Sequence, residues 1–95
     1  MNSSASFETE RASSYMMTLC KHFGRKVEAR YDASEGSVVF PFGRCDLAAD
    51  QGSLKLLATA DDKENLDAVV RIVTSHLERF AFRENPQIVW QAESA

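Results

Sequence analysis

Cysteine is scarce in this chain: Cys20 and Cys45 are the only two among 95 residues. They do not form a CxxC pair, which excludes a thioredoxin-like motif or a zinc ribbon, and two thiols do not make a disulfide framework. In a reducing compartment both are expected to be small buried hydrophobes. Glycine is sparse as well. The four glycines stand singly at expected turns, so neither a dinucleotide fingerprint nor a phosphate-cradling loop can be written. Apolar runs are only a few residues long, which leaves no membrane span and no signal-peptide core, and a cytoplasmic location is the resulting expectation. Charge of one sign is never concentrated. Eleven Lys and Arg are interspersed with fourteen Asp and Glu, for a net charge of −3, so no electrostatic footprint for nucleic acid or anionic lipid exists. The length fits one domain over 1–95, with an ordered core over about 5–90 and frayed ends.

What the chain does have is periodicity. Leu66, Val69, Val70, Val73, Leu77 and Phe80 recur at spacings of three and four, which predicts a long helix over 62–84 with one buried stripe. Asp61 is expected to cap it, with Glu64 three residues on as in a capping box, and Pro86 to end it. A shorter helix is expected over 10–23, with Thr9 as N-cap and Ala12, Met16, Leu19, Cys20 and Phe23 on its inner stripe. A short strand over 5–9 precedes it, with Ala5 and Phe7 facing inward.

Between the helices the period is two. Strands are expected over 26–31, 37–42, 44–49 and 54–59, joined by turns at 32–36, at Gly43 and at 50–53. Val27, Ala29 and Tyr31 should face inward on the first of these, and Val38, Phe40 and Phe42 on the second. Pro41 marks an edge or a strand end. After the long helix, Ile88 and Trp90 should pack back on the domain, while 91–95 should be disordered. The order is β-α-β-β-β-β-α: an α+β fold in two layers, with an antiparallel sheet carrying both helices on one face. That topology resembles one repeat of the TATA-binding-protein fold, a likeness of architecture that implies nothing about DNA.

No catalytic constellation stands out. The helical serines lack a nucleophile elbow, and most acids fall on solvent faces. Cys20 and His22 project to opposite shoulders of one helix, so a four-ligand zinc site is excluded. A two-histidine site of His22 and His76 with an acid remains open. The remaining feature is polar. Tyr15 and His22 share a shoulder of the first helix; His76, Arg79 and Arg83 share a shoulder of the second. If the two shoulders meet, they form a cationic, aromatic-lined notch suited to a carboxylate, phosphate or hydroxamate-like anion. If they do not, the same groups serve only to lock the helices together. The opposite face of the sheet would present Lys26, Glu28, Arg30, Arg44, Asp46, Lys55 and Leu57, a surface for a partner or a second copy.

The segments Ser14-Tyr15, Leu19 to Phe23, Phe40 to Asp50, and above all HLERFAFRE from His76 to Glu84 followed by Trp90, resemble a bacterial family. It is the domain-of-unknown-function family twenty-two eighteen, and the resemblance covers nearly the whole chain. The family includes stand-alone proteins and domains joined to siderophore-interacting flavin reductases. The resemblance implies a binding or accessory module near siderophore and iron handling, with a flavin reductase as a possible partner. It implies no cofactor and supplies no catalytic residues. Ligand-binding candidates are therefore Tyr15, His22, His76, Arg79 and Arg83, and homodimerisation through the open sheet face is a further expectation. The alternative is a small enzyme that uses His22 or His76 as a general acid–base.

Overall fold

The computed structural model describes residues 1–93. Strand β1 runs Asn2–Glu8, helix α1 Ala12–Phe23, then strands β2 Glu28–Tyr31, β3 Glu35–Phe40, β4 Gly43–Ala49 and β5 Ser53–Thr59. Helix α2 spans Lys63–Phe80, a single 3-10 turn covers Phe82–Glu84, and strand β6 spans Gln91–Glu93. The six strands form one antiparallel sheet in the order β2-β3-β4-β5-β1-β6.

That order explains why both helices share one face. β1 and β2 run parallel at separated positions, and so do β5 and β6, so α1 and α2 lie on crossover connections. Such connections are right-handed almost without exception. The second crossover starts from a strand of opposite direction and moves across the sheet in the opposite sense. The two reversals cancel, so a right-handed rule places both helices on the same side. There α1 lies over β2 to β5 and α2 over β4, β5 and β1.

Between helices and sheet sits the core. Met16, Leu19, Cys20, Val38, Cys45, Leu54, Leu56, Val69, Val73 and Leu77 are fully buried. The inward alternation of Val38 and Phe40, Cys45 and Leu47, and Leu54, Leu56 and Ala58 is as the period of two requires. Two glycines are selected for space rather than for dihedral freedom, since no glycine has a positive φ. A Cβ on Gly36 would stand 2.8 Å from the Sγ of Cys20, and one on Gly43 would stand 2.8 Å from Cγ2 of Val69 and 2.6 Å from the carbonyl oxygen of Thr59. α1 and α2 each press on the sheet where a strand offers no side chain.

Several expectations are corrected. Residues 1–4 are not frayed: the Met1 ammonium donates to the Ala60 carbonyl at 2.8 Å, and Ser3 is buried with its hydroxyl bonded to the Gln91 carbonyl. Gln91–Glu93 forms a strand against β1, and 94–95 lie outside the described residues. Asp62, not Asp61, caps α2, with its carboxylate accepting from the Asn65 N–H at 2.8 Å. The N-cap of α1 is Arg11, and Thr9 instead accepts from the Arg11 N–H. α2 ends at Phe80 rather than at 84, and the 3-10 turn after it is closed by Asn85 at φ 48°, the one positive φ among non-glycine residues described. Strand β3 stops at Phe40, leaving Pro41 and Phe42 as a two-residue turn, and Lys26 precedes β2. Tyr31 is 43% exposed, because β2 is the sheet edge. Ile88 and Trp90 do pack back, the Trp90 indole N–H donating to Thr74 at 2.7 Å.

Candidate anion-binding groove between the helices

α1 and α2 run antiparallel, which brings the end of α1 against the last two turns of α2. His22 occupies the outer shoulder of α1, one residue before the buried Phe23. His76 sits one turn before Phe80 on α2. The two imidazoles lie with ring centroids 5.0 Å apart. Phe23 packs on His76 at 4.7 Å, and Phe80 meets His22 edge-on at 5.6 Å. Phe40 extends the aromatic row below Phe23 at 5.2 Å. The expected meeting of the two histidine shoulders is therefore observed. Phe80, expected on the buried stripe, is half-buried and forms part of the groove.

His76 is oriented by its own helix. Its Nδ1 lies 2.7 Å from the Ile72 carbonyl oxygen, which can only accept, so Nδ1 carries a proton and Nε2 is left free. His22 has its pKa lowered from the ordinary 6.5. Partial burial is the largest cause, followed by the charges of His76, Arg25, Arg79 and Lys26. These neighbouring charges all oppose the His22 proton. Among the described residues ion pairs form only at Arg30–Glu28 and Arg44–Asp46, so Arg25, Lys26 and Arg79 face no carboxylate at ion-pair distance. Nor does a third His, Cys, Asp or Glu join the imidazoles in a set able to hold a metal, among those residues. The two-histidine metal arrangement lacks its acid.

Tyr15 and Arg83 belong to a different place. The Tyr15 hydroxyl donates to Oε2 of Glu84, and its ring stacks on Phe7 with centroids 6.1 Å apart. Hydrogen bonds from Tyr15 and Thr9 hold the Glu84 carboxyl below its usual pKa, while the bond to Glu84 pushes the Tyr15 phenol up. Arg83 lies 5.8 Å over the ring of Phe82, which is 67% exposed. Tyr15, Phe82, Arg83 and Glu84 line a hollow of about 830 Å³ with Arg11, Glu8, Glu10 and Phe80. Phe80 thus divides the expected notch in two. The histidines and Arg79 lie on one side, and a tyrosine already held by a carboxylate lies on the other. Arg25 and Lys26, which follow α1 directly, were missed as members of the first group. Their position just past the end of the His22 helix was the available signal.

The family comparison bears on the same elements. Residues 4–91 match the family described as "Uncharacterized protein conserved in bacteria (DUF2218)". The chain belongs to DUF2218. The NMR structure of PA4090 from Pseudomonas aeruginosa is similar to this DUF2218 chain, with 30% sequence identity, a TM-score of 0.84, and coverage of 99% of this chain and 98% of that one. No curated protein matches. Among the described residues of this DUF2218 domain, no helix is long and apolar enough to cross a membrane.

A second concavity lies on the far side of the sheet. It holds about 1110 Å³ between Arg30, Tyr31 and Asp32 at one rim and Val89 and Gln91 at the other, floored by Ser4, Ser6, Ser37, Ala48 and Leu57.

Proposed function

We propose that this DUF2218 chain is a non-enzymatic binding module that takes a small anion beside the paired imidazoles of His22 and His76. One observation carries the reading: the rings of His22 and His76 lie 5.0 Å apart, the charges of His76, Arg25, Arg79 and Lys26 all act on His22, and among the described residues none of these groups is in an ion pair. A protein of net charge −3 has acids to spare for neutralising such a group, and among the described residues none stands at ion-pair distance from it. A carboxylate, phosphate or hydroxamate would gain charge-assisted hydrogen bonds from Arg79 and Arg25 and a proton-bearing imidazole beside them. The resemblance to domains joined to siderophore-interacting flavin reductases supports a cytoplasmic siderophore pathway as the setting and such a reductase as the partner.

The test is an NMR titration with phosphate, citrate and acetohydroxamate, following His22 and His76 ring signals. Binding should raise the His22 pKa, because the anion replaces repulsion with attraction. Arg79→Gln should weaken affinity about tenfold, the loss of one charge-assisted bond. Histidine signals that stay fixed across all three titrations would end this reading. The second reading, a small enzyme with His22 as general base, draws on the lowered His22 pKa, which leaves a neutral imidazole near neutral pH. It has His76 as a second imidazole at 5.0 Å, but no nucleophile among the neighbours named above.

A further inference from the structure

We infer that the His22–His76 pair selects oxyanions that carry their own hydroxyl, such as hydrogen phosphate or an α-hydroxycarboxylate, over equally charged oxyanions without one, with Nε2 of His76 as the hydrogen-bond acceptor that reads the hydroxyl. This rests on the anion-binding reading above and names the class of ligand within it.

Helix α2 itself fixes the selecting atom. The Ile72 carbonyl oxygen stands 2.7 Å from Nδ1 of His76, four residues further along the same helix. A carbonyl has no proton to give, so Nδ1 holds the proton of the neutral ring and Nε2 carries only a lone pair. Among the described residues Nε2 has no hydrogen-bond partner in the protein. No buried side-chain nitrogen or oxygen among them is left without a partner, so this atom is open to solvent. The nitrogens of His22 make no hydrogen bond to the described residues either, and they are open for the same reason.

The neighbours of that acceptor have the opposite character. Arg79 on α2 and Arg25 and Lys26 just after α1 all act on His22, and among the described residues none of them is in an ion pair. The site therefore sets cationic donors beside a ring nitrogen that can only accept. An anionic oxygen turned toward the guanidinium groups is attracted, whereas one turned toward the lone pair is repelled. A ligand whose hydroxyl adjoins its anionic oxygen satisfies both sides at once: the charged oxygen accepts from the cations, and the hydroxyl donates to Nε2. An anion that draws a proton onto the pair draws only one, because two imidazolium rings with centroids 5.0 Å apart repel. His22 takes that proton, since the anion offsets the charges that oppose it there, and His76 keeps its acceptor.

The test is a set of NMR titrations of the full chain at constant ionic strength and about pH 7.5, above the ordinary range of imidazole. Hydrogen phosphate and sulfate are tetrahedral dianions that differ by one hydroxyl; glycolate and acetate are carboxylate monoanions that differ in the same way. Phosphate should bind about tenfold more tightly than sulfate, and glycolate should exceed acetate by a similar factor. A preference confined to the first pair assigns the site to phosphate, and one confined to the second assigns it to α-hydroxy acids; either supports the inference. His76→Asn leaves an amide N–H near the place of Nδ1 for the Ile72 carbonyl and deletes the acceptor. In that variant the members of each pair should bind within about twofold of each other. Nitrogen NMR should find Nε2 of His76 unprotonated in the phosphate complex of the native chain, a readout that holds even if circular dichroism shows the variant unfolded. Equal affinities within both pairs overturn the inference and leave the anion-binding reading intact, whereas no binding by any of the four anions ends both. A preference that survives in folded His76→Asn also overturns it, as does a protonated Nε2 in the phosphate complex.

Discussion

At His22, burial and charge act in the same direction. Phe23 and Phe80 take part of the ring from water, and the charges of the neighbouring basic residues disfavour its proton. The folded state therefore releases the His22 proton more readily than the unfolded chain. Between the lowered folded pKa and the ordinary 6.5, the unfolded state binds more protons, and stability rises with pH across that window. The carboxyls of Asp32, Asp50 and Glu84 also have lowered pKa values, held down chiefly by hydrogen bonds, but their contribution is lost only below the ordinary carboxyl range. Urea unfolding at about pH 5.5 and about pH 7.5 should thus show lower stability at the acidic value, and His22→Gln should flatten the difference. An unchanged slope in the variant would assign the effect elsewhere. The pairing of His22 with His76 was visible in the sequence only as a condition, because helix wheels give shoulders but not which shoulders meet. The right-handed crossovers decide that, and they depend on where β1 enters the sheet. Tyr15 was grouped with the histidines on the same wheel, yet at seven residues' distance it lies two turns away, where the 3-10 turn after α2 brings Glu84 to its hydroxyl.

Elements were readable where a full period repeated. The meander β2 to β5 and the inner stripe of α2 follow from spacing alone, since each residue's environment is set by neighbours two, three or four positions away. Ends were less readable. Asp61 and Asp62 are chemically identical candidates, and choosing between them needs the helix register rather than composition. Asp62→Ala should cost about 1 kcal/mol in chemical denaturation, the usual loss of an N-cap, and Asp61→Ala less than about 0.5 kcal/mol. Reversed magnitudes would move the start of α2 by one residue. β1 and β6 were underestimated because Asn2-Ser3-Ser4 and Gln91-Ala92-Glu93 hold almost no large apolar residues, so no alternation announces them. The close approach of α1 to β3 was likewise hidden. Gly36→Ala should cost about 1–3 kcal/mol from overpacking against Cys20. Adding Cys20→Ala should recover much of that loss, giving a favourable coupling in the double-mutant cycle. Additive losses would show that Gly36 is needed for its backbone instead.

For the whole molecule, the two faces of one sheet differ. One face holds the core and carries the paired histidines on its outer helical layer; the other is open. The position of β1 also governs how such a molecule can come together. β1 lies between β5 and β6, pairing Asn2 with both Thr59 and Glu93, although it comes first in the chain. As the ribosome delivers it, this segment has no partner until most of the sequence has followed. α1 and the β2–β5 meander can condense through near-neighbour contacts while β1 waits, its backbone donors still solvated. The rate-limiting event should then be the late insertion of β1 beside β5, a loop closure over most of the chain. Pulse-labelled hydrogen exchange during refolding should find amides of β3 and β4 protected before those of Phe7 and Ala5, so that the earliest-made strand is the last to be secured.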